Sequence, residues 1–117
     1  MAYSTNLIDY SSITTGASAD APVQPSDNCH TIILYNRDAT NAALVGIVTV
    51  GVVLTTANSA YLPAGAALTL RIGTAAYRPC GSIGPASQGT TVLRTAAVAG
   101  TPALSVQYIN STQPVAP

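Results

Sequence analysis

No lysine, glutamate, tryptophan or phenylalanine occurs anywhere in the 117 residues. Charge of either sign is scarce: 7% of the residues are charged, against roughly 25% in an average soluble domain. The four acids, Asp9, Asp20, Asp27 and Asp38, cancel the four bases, Arg37, Arg71, Arg78 and Arg94. Without a basic field there is nothing to draw in DNA, RNA or an anionic bilayer, so nucleic-acid partners are excluded. Acid–base and metal chemistry also lack material, since four Asp, one His (His30) and two Cys (Cys29 and Cys80) are all the chain offers. It is read as non-enzymatic, with no cofactor and no metal.

Long hydrophobic runs are missing too. The longest, Ala42 to Leu54, is interrupted by Thr49 and holds 13 residues, whereas a membrane helix needs about 18 to 20. It reads as buried strand, and no membrane contact is expected. The opening Met1-Ala2-Tyr3-Ser4-Thr5-Asn6-Leu7-Ile8-Asp9 has no basic stretch followed by an apolar one, so no secretory signal is visible. Outside a secretory route, Cys29 and Cys80 are read as reduced, buried thiols, with a single disulfide between them as the alternative. No paired C-x-x-C spacing supports zinc.

A free monomer ordinarily keeps about a quarter to a third of its surface positions charged. This chain does not, so much of its surface is expected to be covered by partner subunits. Sugars on its 15 Thr and 10 Ser would be the other way to keep such a surface in solution.

Along the chain, residues 1–28 carry Ser and Thr pairs, Pro22 and Pro25, and few apolar side chains. Such a segment cannot order itself by burial. It is expected to be an extended N-terminal arm held by a neighbouring chain, with Tyr3, Leu7, Ile8, Tyr10 and Ile13 as its partner-binding residues. Packing back on its own domain as an extra strand is the alternative. Residues 29–110 read as a β-domain and residues 111–117 as a polar tail.

Within 29–110 the signals are all β. Thr31-Ile32-Ile33-Leu34-Tyr35 is a β-branched run closed by the polar cluster Asn36 to Asn41, with Leu44 to Val50 read as its hairpin partner. Gly46 and Gly51 suggest bulges or bends. Leu62-Pro63-Ala64-Gly65 is a turn, followed by the clearest strand, in which Leu68, Leu70 and Ile72 face one way and Thr69 and Arg71 the other. Thr90 to Thr95 and Ala103 to Ile109 complete the set, the latter with Leu104, Val106 and Tyr108 on one face. The 20 alanines favour helix by propensity but lack any 3.6-residue apolar pattern or capping box. Tyr35 and Tyr108 are expected in or beside the core, Tyr3 and Tyr10 in a partner. The fold class is all-β: a small antiparallel β-sandwich or jelly-roll-like barrel of six to eight strands.

Three constellations imitate function weakly. Ser26, Asp27 and His30 hold the residue types of a hydrolase triad, but within five positions of a Pro-flanked linker they read as a turn and a strand start. The Gly81 to Gly89 loop has glycines and no lysine for a phosphate. Asn110-Ser111-Thr112 is formally a glycosylation sequon, which acts only in a secretory route.

The succession Cys29-His30-Thr31-Ile32-Ile33-Leu34-Tyr35-Asn36, then Leu62-Pro63-Ala64-Gly65-Ala66-Ala67-Leu68-Thr69-Leu70-Arg71-Ile72-Gly73, then Ala99-Gly100-Thr101-Pro102-Ala103-Leu104-Ser105-Val106-Gln107-Tyr108-Ile109, resembles small β-sandwich virion proteins of tailed bacteriophages. Within that group it is most similar to capsid decoration, or cement, proteins, over roughly residues 29 to 110. The resemblance implies a structural protein on the capsid surface, assembled in the host cytoplasm, with the major capsid protein and copies of itself as partners. It implies no catalytic residue. A place at the head–tail junction or tail, or a secreted adhesin or carbohydrate-binding β-module, are the alternatives.

Overall fold

A computed structural model describes residues 3–16, 18–21, 23–75, 78, 83 and 91–112. Eight strands follow in chain order: β1 (Ile8–Thr14), β2 (Ala19–Asp20), β3 (Cys29–Asn36), β4 (Ala43–Thr49), β5 (Ala60–Leu62), β6 (Ala67–Arg71), β7 (Thr91–Ala97) and β8 (Ala103–Asn110). They form two four-stranded antiparallel sheets, ordered β1-β8-β3-β6 and β2-β7-β4-β5. The pairing is nested: β4 with β5, β3 with β6, β2 with β7, β1 with β8. A chain folded once at the β4–β5 turn and then rolled up gives this order, which is the jelly-roll form of the sandwich.

The core lies between the sheets. Ile32, Leu34, Leu104, Val106 and Tyr108 from the first meet Ala43, Val45, Leu62 and Leu93 from the second. Strand β8 alternates as its sequence requires, with Leu104, Val106 and Tyr108 buried. Leu68, Leu70 and Ile72 pack against the same core from β6 and its C-terminal end. Tyr108 keeps its ring buried by donating its hydroxyl to the Val23 carbonyl, which ties the β2–β3 connection to β8.

Two expectations are corrected. The segment 1–28 is not an extended arm: β1 pairs along all seven of its residues with β8, and β2 pairs with β7. The physical reason is that a polar strand need not supply its own core if backbone pairing and one apolar anchor, Ile13, suffice. Ile13 is 5% exposed and belongs to the core rather than to a partner. Likewise β4 is not the hairpin partner of β3, since the two lie in different sheets. The polar residues between them carry the chain across, organised by Asn36. Its fully buried amide donates to the Asn41 carbonyl (2.9 Å) and the Leu62 carbonyl (3.2 Å) and accepts from the Asp38 N–H (2.9 Å).

Gly46 marks no bulge, because the β4–β7 register runs unbroken through it. A Cβ there would come within 2.8 Å of Leu54 Cδ2 and 3.0 Å of the Asn58 carbonyl. It is glycine because residues 50–59 cross the outer face of the second sheet at that point. Leu54 of this strap joins Leu44, Ala96 and Val48 in a small outer cluster. Its N–H bonds Ser18 Oγ (2.9 Å), and Arg94 donates to the Val52 carbonyl (2.8 Å).

Candidate functional site

The strap crosses the outer face of the second sheet, whereas among the described residues no segment crosses the outer face of the first. Register builds that face in rows across β1, β8, β3 and β6. The first row is Ile8, Ile109, Thr31 and Arg71. The second is Tyr10, Gln107, Ile33 and Thr69, and the third Ser12, Ser105, Tyr35 and Ala67. Three rows of four make twelve positions, of which Arg71 alone is charged, and it sits at a corner. Tyr10 is 71% and Tyr35 44% exposed, placed on either side of β8. Apart from Arg71 the face is uncharged, and it is mixed from aliphatic, phenolic, hydroxyl and amide groups.

Of the partner-binding residues expected from sequence, Ile8 and Tyr10 lie on this face. Leu7, 67% exposed, immediately precedes β1, and Tyr3 is exposed further back. Ile13 is removed to the core. Sequence reading missed Ile33, Tyr35 and Ile109. Tyr35 was expected in or beside the core, but the alternation of β3 turns it outward while Ile32 and Leu34 turn in. Apolar residues on both faces of β3 hid that phase. Tyr108 lies in the core as expected.

The rim beside the first row is a polar knot. Asp9 points inward at the start of β1, and its carboxylate accepts from Asn6 Nδ2 (2.8 Å) and Asn110 Nδ2 (2.9 Å). Partial burial pushes the Asp9 carboxyl up, but the hydrogen bonds from Ser4, Asn6 and Asn110 outweigh it and hold it below its ordinary range. Asn110 Nδ2 also donates to the Asn6 carbonyl (2.9 Å). Asn110, the sequon asparagine, is therefore buried and engaged within the fold.

Ser26, Asp27 and Asn28 form a turn closed by Cys29 N–H on the Ser26 carbonyl (3.0 Å). His30 follows in β3, with Nδ1 2.8 Å from Thr31 Oγ1. Cys29 is a free, fully buried thiol. Cys80, and the Gly81 to Gly89 loop apart from buried Ile83, lie outside the described residues, as do Met1, Ala2 and residues 113–117 of the expected tail. Among the described residues no pocket opens, no three potential metal ligands cluster, and no helix is long and apolar enough to cross a membrane. Compared with protein-family models, curated proteins and solved structures, the chain matches none.

Proposed function

We propose that this chain is a non-enzymatic structural protein of a phage particle, of the decoration or cement type, which docks on capsid subunits through the outer face of its first sheet. One observation carries the reading: an open four-stranded face with a single corner charge in twelve positions. A protein surface left almost without charge is suited to burial against another neutral surface, because few ions have to be stripped of water. The likeness of residues 29 to 110 to phage virion proteins supports the capsid as that surface. Jelly rolls serve capsid and lectin domains alike, which is support by analogy of fold only.

Strands about 4.8 Å apart and rows about 6.8 Å apart give the face roughly 400 Å² in projection. That is about half the roughly 800 Å² per partner of a standard interface. Repetition over many copies on a shell offsets the modest gain per copy.

The test is co-sedimentation of the purified chain with capsid shells assembled from the capsid protein of the same genome. Y35D and T69D place a charge on the face without touching the core. Each is expected to weaken attachment at least tenfold, about 1.4 kcal/mol, with an unchanged circular-dichroism spectrum. Attachment that ignores both substitutions overturns the reading. A carbohydrate-binding role is favoured by one feature, the two exposed tyrosines flanking Gln107 and Ser105, on which sugar rings stack. Saturable quenching of tyrosine fluorescence by glycans, with no shell binding, would establish that reading instead.

A further inference from the structure

The longest sheet edge among the described residues is β1. The edges of the second sheet, β2 and β5, are two and three residues long, short enough to blunt pairing. The opposite edge of the first sheet, β6, has five residues and ends on Arg71. Strand β1 has seven and contains no Pro, Lys or Arg. The bonds Asn110 N–H to Leu7 O (2.9 Å) and Thr15 N–H to Pro102 O (3.0 Å) fix its phase. Odd-numbered residues exchange hydrogen bonds with β8, so the N–H and C=O groups of Ile8, Tyr10, Ser12 and Thr14 point away from the sheet. The side chains of Tyr10, Ser12 and Thr14 are exposed.

We infer that β1 is the self-association edge, pairing antiparallel with β1 of a second copy into one continuous eight-stranded sheet. Only one register engages all four outward residues of both strands. It sets Ile8 against Thr14 of the second copy and Tyr10 against Ser12, with Ser11 meeting its own counterpart on the two-fold axis. About eight backbone hydrogen bonds form. The device β1 carries against such pairing is the inward charge of Asp9, and its carboxylate is already taken by Asn6 and Asn110. In this register Asp9 faces Ile13 of the second copy, which leaves the two Asp9 carboxylates four residues, about 13 Å, apart. That exceeds the screening length of roughly 8 to 10 Å at ordinary salt.

The occupant is a second copy because the pairing supplies what one copy lacks. A two-fold axis normal to the sheet turns both outer faces to the same side. The docking face doubles to about 800 Å² in projection, the size of a standard interface. The inference deepens the docking reading and rests on it for its purpose, while the dimer itself stands on the edge alone.

Three variants of the full chain test it. S12P removes an outward N–H and adds a ring to the edge while leaving every bond to β8 in place. S12K charges the same edge if proline disturbs the fold. S11C sets two thiols in a non-hydrogen-bonded pair across the axis. The unaltered chain is expected to sediment as a dimer at about 50 μM. S12P and S12K should raise the dissociation constant at least tenfold with unchanged circular dichroism, and S11C should cross-link on oxidation. A monomer up to about 100 μM, or dimers formed equally well by folded S12P and S12K, overturns the inference. Y35D and T69D separate the two claims, because they leave the dimer intact and act only on shell attachment. Loss of attachment in those variants from a monomeric chain would refute the edge and keep the face. A β1-paired dimer that ignores shells would refute the docking reading and keep the edge.

Discussion

Arg78 is 6% exposed and donates to three main-chain carbonyls: Gly73 (2.8 Å), Ser26 (2.7 Å) and Cys29 (2.7 Å). It joins the turn that starts β3 to the chain leaving β6, a task suited to a planar fork and not to a single ammonium point. R78K is therefore expected to cost about 2 to 4 kcal/mol, read from the midpoint of urea unfolding. In the sequence Arg78 was one of four arginines balancing four aspartates, and nothing marked it as the buried one. The neighbouring Cys29 was legible as a buried thiol, and its burial has a pH consequence. Desolvation pushes the thiol pKa up, opposed by smaller contributions, chiefly hydrogen bonding with the Thr31 main chain and then the charge of Arg78. The folded state thus holds its proton where the unfolded chain releases it, near pH 8.5 to 9. Stability should be constant below that range and fall as pH rises through it toward the raised folded value. C29A should flatten this slope in thermal melts between about pH 8 and 10, whatever it costs in packing.

At the scale of elements, legibility followed how cleanly two faces differ. Strands β6 and β8 alternate apolar with polar residues, so their phase and inward side could be read directly. Strand β3 is apolar on both faces, which hid the outward turn of Tyr35 and concealed its quarter of the proposed docking face. Strand β1 has the reverse problem: Asp9, Ser11 and Ile13 face inward, too little apolar surface to announce a strand. What holds it is pairing with β8, about a hundred residues away in sequence, and a long-range partner leaves no local trace. The structure therefore predicts a definite result for truncation. Removing residues 1–15 takes away the β1–β8 ladder and Ile13 and strips the edge of β8, a strand with a fully buried inner row. The shortened chain should lose its cooperative thermal transition or aggregate in size-exclusion chromatography, since an exposed long edge is an association template. An arm that merely reached outward would instead leave a folded domain.

For the molecule as a whole, near-absence of charge is the property that links fold to proposed role. The opposed sheets differ in their outer faces: one is crossed by its own strap with Leu54 over Gly46, the other is left bare by the described residues. Net charge is zero by count, so copies do not repel one another as they approach, and neither burial of the bare face nor pairing of β1 depends on ions. Both processes should respond weakly to simple salt. Between about 50 and 500 mM sodium chloride the screening length falls from roughly 14 to 4 Å, a range over which exposed ion pairs lose most of their strength. Dimerisation measured by sedimentation, and attachment measured by co-pelleting, should each change by less than about threefold over that range, under 1 kcal/mol. Sulfate should strengthen both, because it is excluded from protein surfaces and favours burial. A steep loss with sodium chloride would instead mean that Arg71, at the corner of the face, or the acids outside it, carry the contact, and that the neutral rows do not.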